Sequence, residues 1–196
     1  MAAGKNAASS ILEKKGFSSI DCDAVVHQIL SEKDFVLRVV NEFESEAREK
    51  KISLLKNDGT LDRRALGEVV FSDKKLLERQ ESLVFPEVEN RVRDFVCAQK
   101  NAVINATVLW KIPALVRDCN AVLFVDAPIL LRFFRVKKRD SLPVLQIVRR
   151  FLSQKNLFSK YRLLNADTYI VKNTGDFRAL ELKIDEILGR ILARGV

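Results

Sequence analysis

The sequence predicts an α/β fold, a parallel sheet flanked by helices and interrupted by an all-helical block. Three observations predict it. The apolar runs Ala102-Val103-Ile104-Asn105-Ala106 and Ala121-Val122-Leu123-Phe124-Val125-Asp126 read as parallel strands covered on both faces. Between residues 22 and 99 the chain reads as a series of helical patterns, over 22–31, 33–50, 62–71, 73–84 and 86–99. Ala3-Gly4-Lys5-Asn6-Ala7 runs straight into a helical pattern, like the tail of a phosphate-binding loop.

In chain order, residues 7–16 form an amphipathic helix that Gly16 ends as a C-cap. Phe17-Ser18-Ser19-Ile20 is a short strand stopping at Asp21. Helices over 22–31 and 33–50 follow, the second with Val36, Val39, Val40 and Phe43 on one face. Lys56-Asn57-Asp58-Gly59-Thr60 is a turn. Helices follow at 62–71 and 73–84, and another starts at Pro86. The two apolar strands come next, then helices at 129–139 and 143–153. Thr168-Tyr169-Ile170-Val171 is the last strand, and a turn at 173–176 leads into an amphipathic helix from Phe177 to Arg194. Asp21, Asp23, Asn105 and Asp126 all fall at or near strand carboxyl ends, where ligands bind in such sheets.

The 196 residues suit one domain with an insertion. No apolar stretch approaches the about 18 residues that span a membrane. Three scattered cysteines and one histidine make neither a disulfide framework nor a zinc site, and they predict reduced thiols in the cytoplasm. The net charge of +8 is local. Arg132, Arg135, Lys137, Lys138, Arg139, Arg149, Arg150, Lys155, Lys160 and Arg162 fall in one segment whose only acid is Asp140. Such a segment predicts an anionic ligand, either nucleotide phosphates or a nucleic acid backbone.

Phosphate loops need glycine for close backbone approach, a lysine for the β- and γ-phosphates, and a helix N-terminus behind. Gly4-Lys5 supplies part of this, although Gly-Lys before a helix is also an ordinary loop. Asp21 and Asp23 offer a carboxylate to orient a hydroxyl and accept its proton, or simply a helix cap. Arg132, Arg135 and Arg139 lie along one helix face, either closing over phosphates or forming a solvated basic face. Phe133, Phe134, Phe151 and Phe158 at helical spacing read as core. A phosphate loop on one side and a strand-end carboxylate on the other is the layout of a small-molecule kinase.

Asp21-Cys22-Asp23-Ala24-Val25-Val26-His27-Gln28-Ile29-Leu30 resembles the Asp-x-Asp-x-x-x-His-x-x-Leu block of dephospho-coenzyme A kinases. The likeness continues through Gly59-Thr60-Leu61-Asp62-Arg63 and Val69-Val70-Phe71-Ser72-Asp73. It extends to Val125-Asp126-Ala127-Pro128, Arg135 to Asp140, Gln154, and Ala166-Asp167 to Gly175. The resemblance implies a P-loop NTPase-like core (1–30, 91–131 and 163–196), a helical substrate-binding insertion (31–90) and a basic lid (132–162). It implies transfer of the ATP γ-phosphate to the ribose 3′-hydroxyl of dephospho-CoA, with Mg²⁺. Lys5, Asp23 and Arg139 would be catalytic. Ala3, Gly4, Lys5, Asn6, Ala7, Arg135, Arg139, Asn173 and Gly175 would bind ATP. Asp21, Asp23, His27, Arg63 and Phe85 would bind substrate.

The chain departs from the family pattern in places. Asn6 stands where the family has the Ser or Thr that holds Mg²⁺, leaving an amide oxygen as ligand. Phe85 replaces a histidine, Asn105-Ala106-Thr107 replaces Asp-x-Pro, and Lys111 stands near the family's glutamate. The first loop glycine and its strand precede Met1 in the family, which predicts a start further upstream. The alternative is a divergent or inactive relative that acts on another nucleotide-like substrate or binds nucleic acid through the lid.

Overall fold

A computed structural model describes residues 1–140, 144–153, 157–164 and 166–194. Gln154 and Lys155, and the side chains of Asp140, Arg149, Arg150 and Arg162, lie outside the described residues. The elements run α1 (Lys5–Lys14), β1 (Ser18–Asp21), α2 (Cys22–Ile29), α3 (Lys33–Glu49), α4 (Arg63–Val70), α5 (Lys74–Cys97) and β2 (Ala102–Asn105). A 3-10 turn (Leu109–Lys111) leads to α6 (Pro113–Arg117), β3 (Val122–Asp126), α7 (Ile129–Asp140), α8 (Val144–Ser153) and α9 (Leu157–Arg162). The chain closes with β4 (Thr168–Lys172) and α10 (Phe177–Leu192). It forms two compact units, Met1–Ser19 with Gln99–Val196, and Ile20–Ala98. Among the described residues no helix is long and apolar enough to cross a membrane.

The first unit is α/β. Val122–Asp126 pairs in parallel with Thr168–Lys172, Val122 opposite Thr168 and Asp126 opposite Lys172. The Ser18 end of β1 pairs with the start of β2, Ser18 N–H donating to the Asn101 carbonyl at 2.9 Å. Helices α1 and α10 supply the core: Ile11, Leu12, Leu180, Ile184 and Ile187 pack with Val171 of β4. Lys15 caps α1, and Gly16 follows at φ +90, where only glycine is unstrained. Aromatic edges seat α9 on β3, with Phe158 and Tyr161 centroids 5.2 and 6.1 Å from Phe124. The apolar runs are strands, but Val122 to Asp126 are half-buried rather than buried. Among the described residues the strands form two two-stranded ladders, β1 with β2 and β3 with β4.

The second unit is mainly helical, with the end of β1 at Ile20 and Asp21 and a Leu55–Leu61 bridge. Its buried face is built from Val39, Phe43, Leu66, Val69, Val84, Val88 and Val92. Residues 74–97 form one helix, where the sequence predicts two separated at Pro86. An interior proline removes a hydrogen bond and costs about 3 kcal/mol in isolation. Here Val84, Val88 and Val92 continue one buried stripe past Pro86 at i, i+4 spacing, against α2 and α4. That packing outweighs the local penalty.

Arg79 ties α5 to α3. Its Nε donates to Glu42 Oε1 at 2.7 Å, its Nη1 to Glu46 Oε1, and its Nη2 to the Glu42 carbonyl at 2.7 Å, with the guanidinium over the Phe43 ring. Arg91 forks onto both Glu32 oxygens at 2.7 Å. The Arg91 hydrogen bond holds Glu32 below the usual carboxylate pKa, and hydrogen bonds from Ser45 and then Arg79 lower Glu46.

Two outcomes test this packing. Phe43→Ala removes a side chain with no exposure and should cost about 3–5 kcal/mol in a denaturant titration; a loss below about 1 kcal/mol would remove Phe43 from the core. The lowered carboxylates contribute stability that is present above their unfolded pKa of about 4 and is lost as pH falls through the lower folded values. Unfolding followed by far-UV dichroism should therefore ease as pH falls below about 4, and an acid limb that is unchanged in the Arg79→Ala/Arg91→Ala pair would contradict this.

Candidate functional site

The site in the first unit is built around the chain's opening loop. Gly4 caps α1 with φ 110 and ψ 22, a conformation that favours glycine. Its carbonyl accepts from Ala8 N–H at 3.0 Å, which starts the helix. Space also requires glycine here, because a Cβ would lie 2.2 Å from Asn173 Nδ2. That amide is buried, and Nδ2 donates to the Ala3 carbonyl at 2.8 Å. The Asn173 N–H donates to the Asp126 carbonyl at 2.7 Å, so one residue joins the loop to the end of β3.

The N-terminus of α1 has neither a side-chain cap nor an acid in its first turn. Its first N–H groups and the helix dipole therefore favour an anion. Lys5 is the first helical residue. Arg132 and Arg135 of α7 turn to the same loop: Arg132 Nε donates to the Met1 carbonyl at 2.9 Å, and Arg135 Nη2 reaches Asn173 Oδ1 at 3.4 Å. Burial first, then the charges of Arg132, Arg139 and Lys5, push the Met1 amino group down to about 5. The α7 arginines, Lys5 and the loop thus share one electropositive neighbourhood. Among the described residues the buried Arg135 Nη1 has no hydrogen-bond partner, a donor suited to an anionic oxygen.

Asn6, also in the first turn, accepts from Asn105 Nδ2 at 3.3 Å, linking α1 to the end of β2. Its Oδ1 keeps a second lone pair for a hard cation. Ala7 packs at the edge of the α1 core, and Gly175 precedes α10, where a Cβ would meet Ala179 at 2.9 Å. Of the four phenylalanines read as core, Phe134 is 64% exposed. Adjacent Phe133 and Phe134 cannot both face inward on one helix, and the buried face of α7 holds Val136.

The second unit holds the other predicted residues. Asp21 caps α2, its Oδ1 accepting from Asp23 N–H at 2.9 Å. Its carboxylate therefore does the structural work, and Asp23 and His27, one turn apart, are both exposed. The Gly59 to Arg63 motif is a scaffold around one arginine. Gly59 sits at φ +77, and Asp58 Oδ1 accepts from the Thr60 N–H and hydroxyl at 2.9 and 2.6 Å. Asp62 caps α4 by accepting from Arg64 and Ala65 N–H at 2.9 and 3.1 Å. The Ala65 bond leads in holding the Asp62 carboxyl below its usual range. Arg63 starts α4 with an exposed side chain, and Phe85 is half-buried on α5.

The family model described as "CoaE: Dephospho-CoA kinase" matches residues 1–178. The chain belongs to the dephospho-CoA kinase family. The dephospho-CoA kinase of Treponema denticola is 37% identical over 187 residues, covering 92% of this chain and 82% of that protein. That of Treponema pallidum is 36% identical over 199 residues, covering 99% and 92%. The crystal structure of TT1252 from Thermus thermophilus superposes with a TM-score of 0.71 at 25% identity, covering 97% of this chain and 93% of that one. The dephospho-CoA kinase from Campylobacter jejuni gives 0.60 at 23%, over 100% and 95%, and supports the same P-loop NTPase-like fold.

Sequence reasoning names Asn173 and Arg135 separately and misses their contact with each other and with the loop. The signal that was available is Gly4: a left-handed residue packed against a buried amide needs a partner elsewhere in the chain. The cap and the arginine of the family's Gly-x-Leu-Asp-Arg motif should separate by measurement. Asp62→Ala should cost about 1 kcal/mol of stability. Arg63→Ala should stay within about 0.5 kcal/mol of the parent. Equal losses in thermal melts would contradict this division.

Proposed function

We propose that the chain transfers the γ-phosphoryl group of ATP to the ribose 3′-hydroxyl of dephospho-CoA, in the cytoplasm. The observation that carries this reading is the convergence of Lys5, the uncapped α1 N-terminus and the α7 arginines on the Gly4 loop. Phosphoryl transfer asks mainly for positioning and for cations around the transferring group. Lys5 contacts the transferring phosphates. Arg139, assisted by Arg135, neutralises charge as it develops between leaving and attacking oxygens. The backbone of Ala3 to Ala7 cradles the polyphosphate, and the Asn173 to Gly175 segment borders the nucleotide.

Asp23 orients the ribose hydroxyl and takes its proton, which its exposure allows; Asp21 holds the helix that presents it. His27, Arg63 and Phe85 serve the dephospho-CoA side, within a substrate insertion over 31–90. Residues 132–162 act as the lid, and 1–30, 91–131 and 163–196 as the nucleotide core. Asn6 Oδ1 would hold Mg²⁺ together with phosphate oxygens, and the metal would supply charge neutralisation on the polyphosphate.

A coupled assay for ADP release with MgATP and dephospho-CoA tests the roles. Lys5→Ala should abolish transfer. Asp23→Asn should lower kcat by about 10²–10⁴ while ATP binding persists. Arg139→Ala should lower kcat by about 10³. Unchanged turnover in Asp23→Asn would remove the base assignment, and unchanged turnover in Arg139→Ala would move the lid role to another arginine.

A further inference from the structure

We infer that Asn173 is a positioning residue for phosphoryl transfer, acting through the Gly4 loop rather than on the nucleotide base. The inference rests on the reading of that loop as the phosphate-binding loop. Asn173 is only 6% exposed, and its side-chain nitrogen, its side-chain oxygen and its backbone N–H each have a partner. Its Nδ2 donates to the Ala3 carbonyl at 2.8 Å, and its backbone N–H donates to the Asp126 carbonyl at 2.7 Å. Its Oδ1 takes the Arg135 contact at 3.4 Å. The amide orientation is fixed by chemistry, because a carbonyl can only accept and a guanidinium can only donate.

Asn173 is therefore a three-way bracket: its side chain holds the loop and helix α7, and its backbone N–H holds the end of β3. It also shapes the loop sterically. The space a Cβ at Gly4 would need is filled by Asn173 Nδ2, at 2.2 Å. The left-handed Gly4 and the buried amide define each other. Gly4 immediately precedes Lys5, so its dihedral angles set where the Lys5 side chain leaves the loop. Arg135 meets the same amide, so α7 and the loop are held relative to one another through Asn173. Contacts of that side chain run to the loop and to α7, and it is through them that Asn173 acts.

The test uses Asn173→Asp, Asn173→Ala, Gly4→Ala and the Gly4→Ala/Asn173→Ala pair, with ATP and GTP compared as phosphate donors. Asn173→Asp keeps the shape and places an acceptor against the Ala3 carbonyl, so it holds the test open if the alanine variant fails to fold. It should raise KM for ATP about tenfold or more and leave the ATP-to-GTP preference of kcat/KM unchanged. Gly4→Ala should be severely impaired, and adding Asn173→Ala should restore part of its kcat/KM, because the 2.2 Å clash disappears.

A parental KM in Asn173→Asp would overturn the inference. So would a changed ATP-to-GTP preference, which would mark a direct base contact. So would a Gly4→Ala/Asn173→Ala loss equal to the product of the single losses. Lys5→Ala separates the two levels. If it keeps parental ATP affinity, the phosphate-loop reading fails and the inference with it. If it loses affinity while Asn173→Asp does not, only the role of Asn173 fails.

Discussion

The opening loop depends on one constraint, that a buried amide must be satisfied. Asn173 is enclosed, and leaving its donors or acceptor unmatched would cost about 1–3 kcal/mol each. Its side chain meets the Ala3 carbonyl and Arg135 while its backbone N–H meets the Asp126 carbonyl, so the residue fixes the loop, a helix and a strand end together. Gly4 then has no room for a side chain, and α1 begins with its uncapped N–H groups beside Lys5. The electropositive character of the site follows from that geometry. Arg132 and Arg139 then add charge that the Met1 amino group registers.

The helical unit shows the complementary strategy. Asp21, Asp62 and Asp73 each turn a side chain back onto the first N–H groups of a helix. Arg79 and Arg91 pin neighbouring helices through shared carboxylates. Acidic groups in this unit are thus largely committed to structure. Asp23 sits exposed in the first turn of the helix that Asp21 caps, and it is the carboxylate to which the proposed function gives the proton.

Much of this was legible in the sequence, and the reasons are particular. The α/β class followed from continuous apolar runs, and a helix start at Asp21 or Asp23 followed from capping chemistry. Pro86 misled, because a local rule about proline competes with a buried stripe that only tertiary packing reveals. The short helix Pro113–Arg117, the 3-10 turn Leu109–Lys111 and the helix Leu157–Arg162 are too short for periodicity to announce them. Phe134 was read as core because helical spacing cannot say which of two adjacent aromatics faces inward. The Asn173 bracket joins residues 170 positions apart, and no local pattern encodes such a pairing.

Phosphoryl transfer to one ribose hydroxyl is tested most directly by its product. Phosphorus NMR of a reaction with MgATP and dephospho-CoA should show ADP and a new phosphomonoester growing one for one, the latter on the ribose 3′-oxygen. ADP accompanied only by inorganic phosphate, or a phosphate on another oxygen, would contradict it.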